Sequence, residues 1–167
     1  MAVILRIQAA TLQMSPEPHT SPAQATDDER LAAWGTFLRA HAQITRLLEH
    51  ELQEEQSLSL ADYDVLYQLA AAEGRRLRMS ELADRLLLSR SGATRLVDRL
   101  ESDALVRRTS CATDRRGLWA HLTDAGLARL RDAAPTHLRG ICEHFLDRIP
   151  ARDLERLRRT LERVTES

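Results

Sequence analysis

The amino-acid sequence predicts a mainly helical fold, and three observations support this prediction. Charged residues make up 29% of the 167 residues and aromatic residues only 4%, with six glycines and five prolines, a composition that favours a helical globular protein. Apolar residues recur every three to four positions over long stretches, as they do on one face of an α-helix. Residues that favour helix N-termini precede several of these stretches.

Charge is distributed unevenly along the chain, although the net charge is only −1. All 24 basic residues are Arg, so every cationic contact can be a planar, bidentate guanidinium. Residues 1–73 carry four Arg and eleven acidic residues, whereas residues 74–119 carry eleven Arg and six acidic residues. Because phosphate contacts need locally clustered positive charge, residues 74–119 are a candidate nucleic-acid-binding segment.

The beginning of the chain and its cysteines indicate a soluble, cytoplasmic protein. Residues 1–25 contain three of the five prolines and are predicted to be a flexible extension. They lack the basic and apolar regions of a signal peptide, and Met1 and Met14 both fit as the start of translation. No stretch approaches the roughly 18 apolar residues of a membrane span. Cys111 and Cys142 are too few for a disulfide framework.

Two helices are predicted directly after the extension. Thr26 and Glu29 form a capping box before a long helix over residues 27–56. Its apolar stripe consists of Leu31, Trp34, Leu38, Ile44, Leu48 and Leu52. Ser59 caps a second helix over residues 60–72, and Gly74 ends it. The buried positions of this second helix are predicted to be Tyr63, Leu66, Tyr67 and Ala70.

The basic segment predicts two short helices that are joined by a tight turn. The first helix spans Met79–Leu87 with Ser80 as its N-cap, and the second runs from Ser89 or Ser91 to about Asp103. The inward face of the second helix consists of Ala93, Leu96, Val97 and Leu100. Two helices of this length, the second basic on its outer face, are typical of a helix-turn-helix.

A hairpin and two further helices complete the predicted fold. Residues 105–110 and 118–122 are β-prone and flank a polar connection, which predicts a two-stranded hairpin. Thr123 caps a long helix to about Arg148 that is bent at Pro135, and Pro150 opens a last helix. This order of elements describes a winged helix-turn-helix with a two-stranded β-hairpin wing, flanked by long helices.

This element order also divides the chain into four predicted parts. Residues 1–25 form the extension and residues 26–58 the N-terminal helix. Residues 59–123 form the winged helix-turn-helix, and residues 124–167 the C-terminal helices.

The outward face of the second short helix is the candidate DNA-reading surface. Its polar members are Arg90, Ser91, Thr94, Arg95 and Asp98. The residues of this region that are predicted to contact DNA are Ser89, Arg90, Ser91, Thr94, Arg95 and Arg99. Hydroxyl and guanidinium groups near a helix N-terminus suit the bases and phosphates of a major groove. A solvent-exposed, Arg-rich face on an ordinary helix gives the same pattern. A winged helix that contacts another protein is a second alternative, although an apolar or acidic face would suit that role better.

The segment over residues 114–123, DRRGLWAHLT, resembles the wing signature of the MarR family of bacterial transcriptional regulators. The flanking segments 105–108 and 123–126 fit the same family, and the resemblance covers roughly residues 30–165. It implies a homodimer that binds a palindromic operator in double-stranded DNA. It also implies a repressor that is released by a small aromatic or lipophilic ligand.

The resemblance assigns roles to residues outside the helix-turn-helix. Arg115 and Arg116 would enter the minor groove, where a narrow A·T-rich tract concentrates negative potential, and Asp114 would hold the shape of the wing. The long end helices would form the dimer interface, including an apolar stripe with little chain left to cover it: Leu154, Leu157, Leu161 and Val164. The residues predicted to line a ligand pocket are Trp34, His41, Arg46, Tyr63 and Tyr67, all of which also suit ordinary core or surface positions.

No enzyme activity, cofactor or metal site is predicted. The sequence contains no Gly-rich phosphate loop, nucleophile elbow or HExxH motif. His137, Cys142 and His144 do not form an i, i+4 pair that would direct two ligands at one ion. Redox-gated or metal-gated regulation is the alternative to a ligand response, since the basic surroundings of Cys111 favour a thiolate.

Overall fold

The computed structural model describes residues 26–110 and 118–166, and the structural statements below refer to these residues. The chain divides into two compact units, Met1–Arg39 and Ala40–Ser167. Helix α1 (Asp27–Gln56) contributes its first part to one unit and its remainder to the other. None of the helices in the described ranges is both long and apolar enough to cross a lipid bilayer.

The first unit contains the predicted capping box. The Thr26 hydroxyl accepts a hydrogen bond from the Glu29 amide at 3.3 Å, and the Thr26 amide donates to the Glu29 carboxylate at 2.8 Å. The hydrogen bond from the Thr26 amide lowers the pKa of Glu29 most strongly, followed by the bond that the Thr26 hydroxyl donates to the same carboxylate at 3.0 Å. Leu31 and Trp34 are 46% and 55% exposed, so this part of the predicted apolar stripe is not buried within the unit.

The second unit contains the remaining elements in the predicted order. It confirms a mainly helical fold with a small antiparallel sheet, two strands of which follow a helix-turn-helix. The elements after α1 are α2 (Leu60–Ala71), a 3₁₀ turn (Glu73–Arg75), β1 (Arg76–Arg78), α3 (Met79–Arg85), α4 (Arg90–Ser102), β2 (Val106–Ser110), β3 (Leu118–Leu122), α5 (Asp124–His144), a second 3₁₀ turn (Leu146–Arg148) and α6 (Ala151–Thr165).

The sheet has three strands in the order β1-β3-β2, whereas the sequence predicts a hairpin of two. The added strand, β1, pairs antiparallel with β3 through Leu77 and Ala120. Both residues are almost completely buried, so β1 closes one side of the core. A strand of three residues with Arg at both ends gives no periodic signal in a sequence.

The core lies where α2, α3 and α4 meet the sheet and α5. Its largest fully buried side chains are Leu52, Val65, Leu66, Leu69, Leu82, Val97, Leu100 and Val106. Burying each such side chain stabilises the fold by about 1.5–3 kcal/mol. The prediction that Tyr67 is buried is wrong, since it is 53% exposed. The buried face of α2 follows positions 62, 63, 65, 66 and 69, and Tyr67 lies about 130° around the helix from its centre.

Two predicted helix boundaries differ from the structure. Arg78 is the N-cap of α3 and offers no side-chain cap, so the prediction for Ser80 is wrong. The chain enters α3 directly from β1, whose pairing with β3 fixes Arg78 in an extended conformation. Helix α5 includes Pro135 and ends at His144 rather than at Arg148, because the chain tightens into a 3₁₀ turn.

Candidate nucleic-acid interface

Helix α4 is held on the core by one apolar face and by its cap. Ala93 and Val97 are fully buried beneath it. Ser89 is the N-cap, and its hydroxyl accepts a hydrogen bond from the Gly92 amide at 3.1 Å. In the turn before this cap, Leu87 has φ of 54°, which costs roughly 1–2 kcal/mol for a residue with a Cβ. The first turn of α4 is therefore fixed relative to the core.

The opposite face of α4 is exposed and carries unpaired cations. Arg90 and Arg95 are exposed and form no ion pair within the described part of the chain. Ser91 lies beside the capping hydroxyl, with the two oxygens 3.1 Å apart. The Thr94 hydroxyl donates to the Arg90 carbonyl at 2.8 Å and can still accept a hydrogen bond. The structure thus brings Ser91, Thr94 and two free guanidiniums onto one surface.

Arg99 differs from the other predicted contacts, because an acidic partner holds its guanidinium. Its Nη2 lies 2.6 Å from Asp62 Oδ1, and its Nε lies 3.2 Å from the same oxygen. The Asp62 side chain is only 10% exposed and also accepts a hydrogen bond from Ser59. Arg99 therefore ties α4 to α2, and its contact with DNA stays a prediction.

Arg108 ties strand β2 to α4, a role that sequence reasoning missed. Its guanidinium contacts Asp98 and Glu101, each at 2.6 Å, and its amide donates to Glu101 at 2.8 Å. The hydrogen bond from the Arg108 amide is the largest cause of the lowered pKa of Glu101. Two acids three positions apart share one face of a helix, and this spacing, next to an Arg-containing strand, was the available signal.

The predicted wing residues lie outside the described residues. These are Asp114, Arg115 and Arg116, together with Cys111. Strands β2 and β3 precede and follow these residues, and they are paired from Val106 with Leu122 to Ser110 with Leu118. The roles of these four residues stay predictions.

A cavity of about 440 Å³ lies between α2, α5 and the end of α3. Tyr63 and Tyr67 line it, as the pocket prediction requires. Sequence reasoning missed the other lining residues, which come from three separate segments: Asp64, Gln68, Arg85, Leu86, Leu87, His137, Leu138 and Ile141. His41 and Arg46 are exposed on α1 and do not line this cavity, and Trp34 belongs to the first unit.

Two polar side chains of this cavity, Asp64 and His137, are partly buried. The His137 ring lies 4.3 Å from the Tyr63 ring, and His137 Nδ1 is buried without a hydrogen-bond partner among the described residues. Burial lowers the pKa of His137 and raises the pKa of Asp64. Burial thus shifts both groups toward their neutral forms, and the cavity offers polar groups beside apolar side chains.

The last helix leaves its apolar stripe uncovered. No residue of α6 is buried. Leu154 and Leu157 are half-buried, whereas Leu161 and Val164 are 38% and 72% exposed. The end of this stripe, at Leu161 and Val164, is therefore left exposed by the described chain.

The residues considered for redox or metal chemistry do not converge. Cys142 is exposed and His137 lies in the cavity. His144 instead joins Glu51 of α1 through a hydrogen bond, with Glu143 close by. The side-chain oxygen and nitrogen atoms of Glu51, Glu143 and His144 that could bind a metal lie within 4.8 Å of one another.

Comparisons with known proteins identify similar chains. The profile of the MarR family matches residues 56–117. AbsC of Streptomyces coelicolor, a MarR family transcriptional regulator, is 39% identical, with a TM-score of 0.77 over 86% of this chain and 95% of that chain. Sco3205 of the same organism, a MarR family regulator solved in complex with DNA, is 34% identical, with a TM-score of 0.78 over 87% of this chain and 91% of that chain.

A curated relative has a described regulatory role. The transcriptional repressor MprA of Escherichia coli is 33% identical over 102 residues, which are 60% of this chain and 57% of MprA. The chain therefore spans less than three fifths of the length of this curated relative.

Proposed function

This chain belongs to the MarR family of transcriptional regulators, and we propose that it binds double-stranded DNA as a homodimer and represses a nearby promoter. Helix α4 would enter the major groove of each half-site. The residues 111–117, between β2 and β3, would reach the adjacent minor groove. A regulator of this kind acts on DNA in the cytoplasm.

The exposed face of α4 is the observation that carries this proposal. Arg90 is exposed at the start of a helix that is fixed by its cap, and Arg95 is exposed opposite the buried face of the same helix. Neither guanidinium is neutralised by a described residue, so both can bind an anionic partner. Arg95, further along the helix, suits a bidentate contact to a guanine edge, whereas Arg90 at the helix start suits a phosphate.

Arg95→Ala tests the proposal on DNA from upstream of the protein's own gene. An inverted repeat of about 16–20 base pairs is expected there, because a two-fold dimer reads half-sites about one helical turn apart. The variant should weaken operator binding by about 1–3 kcal/mol and relax the preference at one base position per half-site. Arg131→Ala, an exposed arginine of α5, is the matched control. Unchanged affinity of Arg95→Ala for operator and for random DNA would refute the role of α4.

The cavity beside α2 favours a second, regulatory part of the proposal. Its apolar residues, together with the partly buried polar groups of His137 and Asp64, suit a small aromatic compound with a polar group. Such a ligand can release DNA only if it binds the DNA-free arrangement more tightly, and a tenfold change requires about 1.4 kcal/mol. Operator titrations with a panel of phenolic acids should find a compound that weakens DNA binding in the wild type and not in Tyr67→Ala. Equal responses in both proteins would place the effector elsewhere.

A further inference from the structure

The sheet carries a row of basic side chains that the DNA-reading helix does not account for. Directly paired residues of an antiparallel sheet lie on the same face. The pairs of β3 with β1 and β2 therefore define one surface, here called the outer sheet face: Arg76, Arg78, Arg107, Thr109, Trp119 and His121. Leu77 and Ala120 lie on the other face and belong to the core. The outer sheet face is consequently directed to solvent.

The outer sheet face has three guanidiniums and no acidic residue. Arg76 and Arg107 are exposed, and neither forms an ion pair with any residue in the ranges 26–110 and 118–166. Arg108, the neighbour of Arg107 on the core side of β2, is bound by two carboxylates. Asp98 and Glu101 thus bind Arg108, which holds β2 to α4, and neither of them is paired with Arg76 or Arg107.

Trp119 positions two of these arginines without neutralising them. The guanidinium carbons of Arg76 and Arg78 lie 5.0 and 5.3 Å from the centre of its ring. A cation–π contact at this distance orients the guanidinium over the ring. At Arg76, which forms no ion pair with a described residue, this contact leaves the positive charge in place, so an anion can still bind.

The positive charge of the outer sheet face acts on His121, which lies in the central strand. His121 lies between Arg76 and Arg107 and hydrogen-bonds the Thr109 hydroxyl at 2.8 Å. Its pKa is lowered by burial and then by the charges of Arg107 and Arg76. Arg76 on β1 and Arg107 on β2 therefore both lower the pKa of His121, which lies between them on β3.

We propose that the outer sheet face binds the phosphate backbone of the DNA duplex beside the site of the wing. The inference rests on the proposed function. Strands β2 and β3 lead directly to residues 111–117, and Arg107 lies three residues, about 10 Å, before the end of β2. Guanidiniums form paired hydrogen bonds with phosphate oxygens, and phosphate contacts of this kind position a protein without reading sequence.

The double variant Arg76→Gln/Arg107→Gln tests this proposal. Its affinity for a 40-base-pair duplex of random sequence is measured over a series of salt concentrations. Each lost phosphate contact should reduce the slope of log K against log salt by about 0.9, so the variant should lose roughly 1.8 per subunit. The control is Arg131→Gln/Arg152→Gln, which removes the same charge from α5 and α6 and should leave the slope nearly unchanged.

The outcomes separate this inference from the proposed function. If the wild type binds the duplex and Arg76→Gln/Arg107→Gln has the same salt slope, the inference alone is overturned. The outer sheet face would then be exposed to solvent or bind an acidic protein. Equal losses in the variant and its control also overturn the inference, because net charge then explains both. Wild-type protein without salt-dependent binding overturns the proposed function and the inference together. Far-UV circular dichroism of each variant shows that a changed slope does not reflect unfolding.

Discussion

At the scale of single residues, neighbouring arginines of α4 have different roles. Arg95 is exposed and unpaired in the described chain, whereas Arg99 pairs with the nearly buried Asp62. Arg99→Ala leaves that carboxylate with Ser59 as its remaining partner. We expect the free energy of unfolding to fall by about 1–3 kcal/mol, as measured by urea denaturation. Arg95→Ala should change it by less than about 0.5 kcal/mol. Equal effects of the two substitutions would contradict this division of roles.

His137 should make stability depend on pH. Burial lowers its pKa in the folded state, so the unfolded chain binds a proton more readily. Its contribution to stability is complete above the unfolded pKa of about 6.5 and is lost as the pH falls through the folded pKa. Wild type should therefore lose more stability than His137→Gln between pH 7.5 and the acidic limit of folding. Parallel stability curves for the two proteins would show that His137 does not titrate differently on folding.

At the scale of elements, the junction between β3 and α5 requires glycine. A Cβ at Gly126 would overlap the Leu105 carbonyl oxygen and lie 2.8 Å from Leu122 Cδ1. The backbone cannot move, because Thr123 caps α5 and also donates to the Leu105 carbonyl. Gly126→Ala should therefore destabilise the protein by about 1–3 kcal/mol, measured by thermal unfolding.

Gly35→Ala provides a control of opposite sign for this prediction. A Cβ at Gly35 in α1 would meet only the Arg39 side chain at 3.5 Å. Alanine in a helix interior is favoured over glycine by about 0.8–1.0 kcal/mol, so this change should stabilise the protein. If both substitutions changed the thermal unfolding temperature in the same direction, the space around each Cβ would not explain their effects.

The helices and strands differ in how well the sequence alone predicts them. Caps and apolar periodicity are local signals, and Thr26, Ser59, Ser89 and Thr123 all cap helices as predicted. Strand β1 depends on pairing with β3, some forty residues later, and has no local signal. The ion pairs of Arg99 and Arg108 likewise depend on tertiary structure. They join α4 to α2 and to β2, and the spacing of apolar residues does not show that these elements lie side by side.

At the scale of the whole molecule, the uncovered stripe of α6 predicts an assembly of two chains. Apolar side chains at a helix surface are stabilised when a second copy buries them. Leu161→Glu should shift the protein toward monomer in analytical ultracentrifugation at micromolar concentration, because a carboxylate would be buried at the contact. Arg163→Glu, on the opposite side of α6, should leave assembly unchanged. A wild-type monomer would contradict the proposed dimer.

The ion pairs of Arg108 have a geometric consequence for the operator. They join α4 to strand β2. In the proposed complex, the distance from the major-groove helix to the end of β2 would then be set by the protein rather than by the DNA. One extra base pair between a major-groove contact and a minor-groove contact rotates them apart by about a tenth of a turn. The duplex would have to change its twist to restore both contacts, so the proposed regulator would be sensitive to the length of its half-site as well as to the sequence.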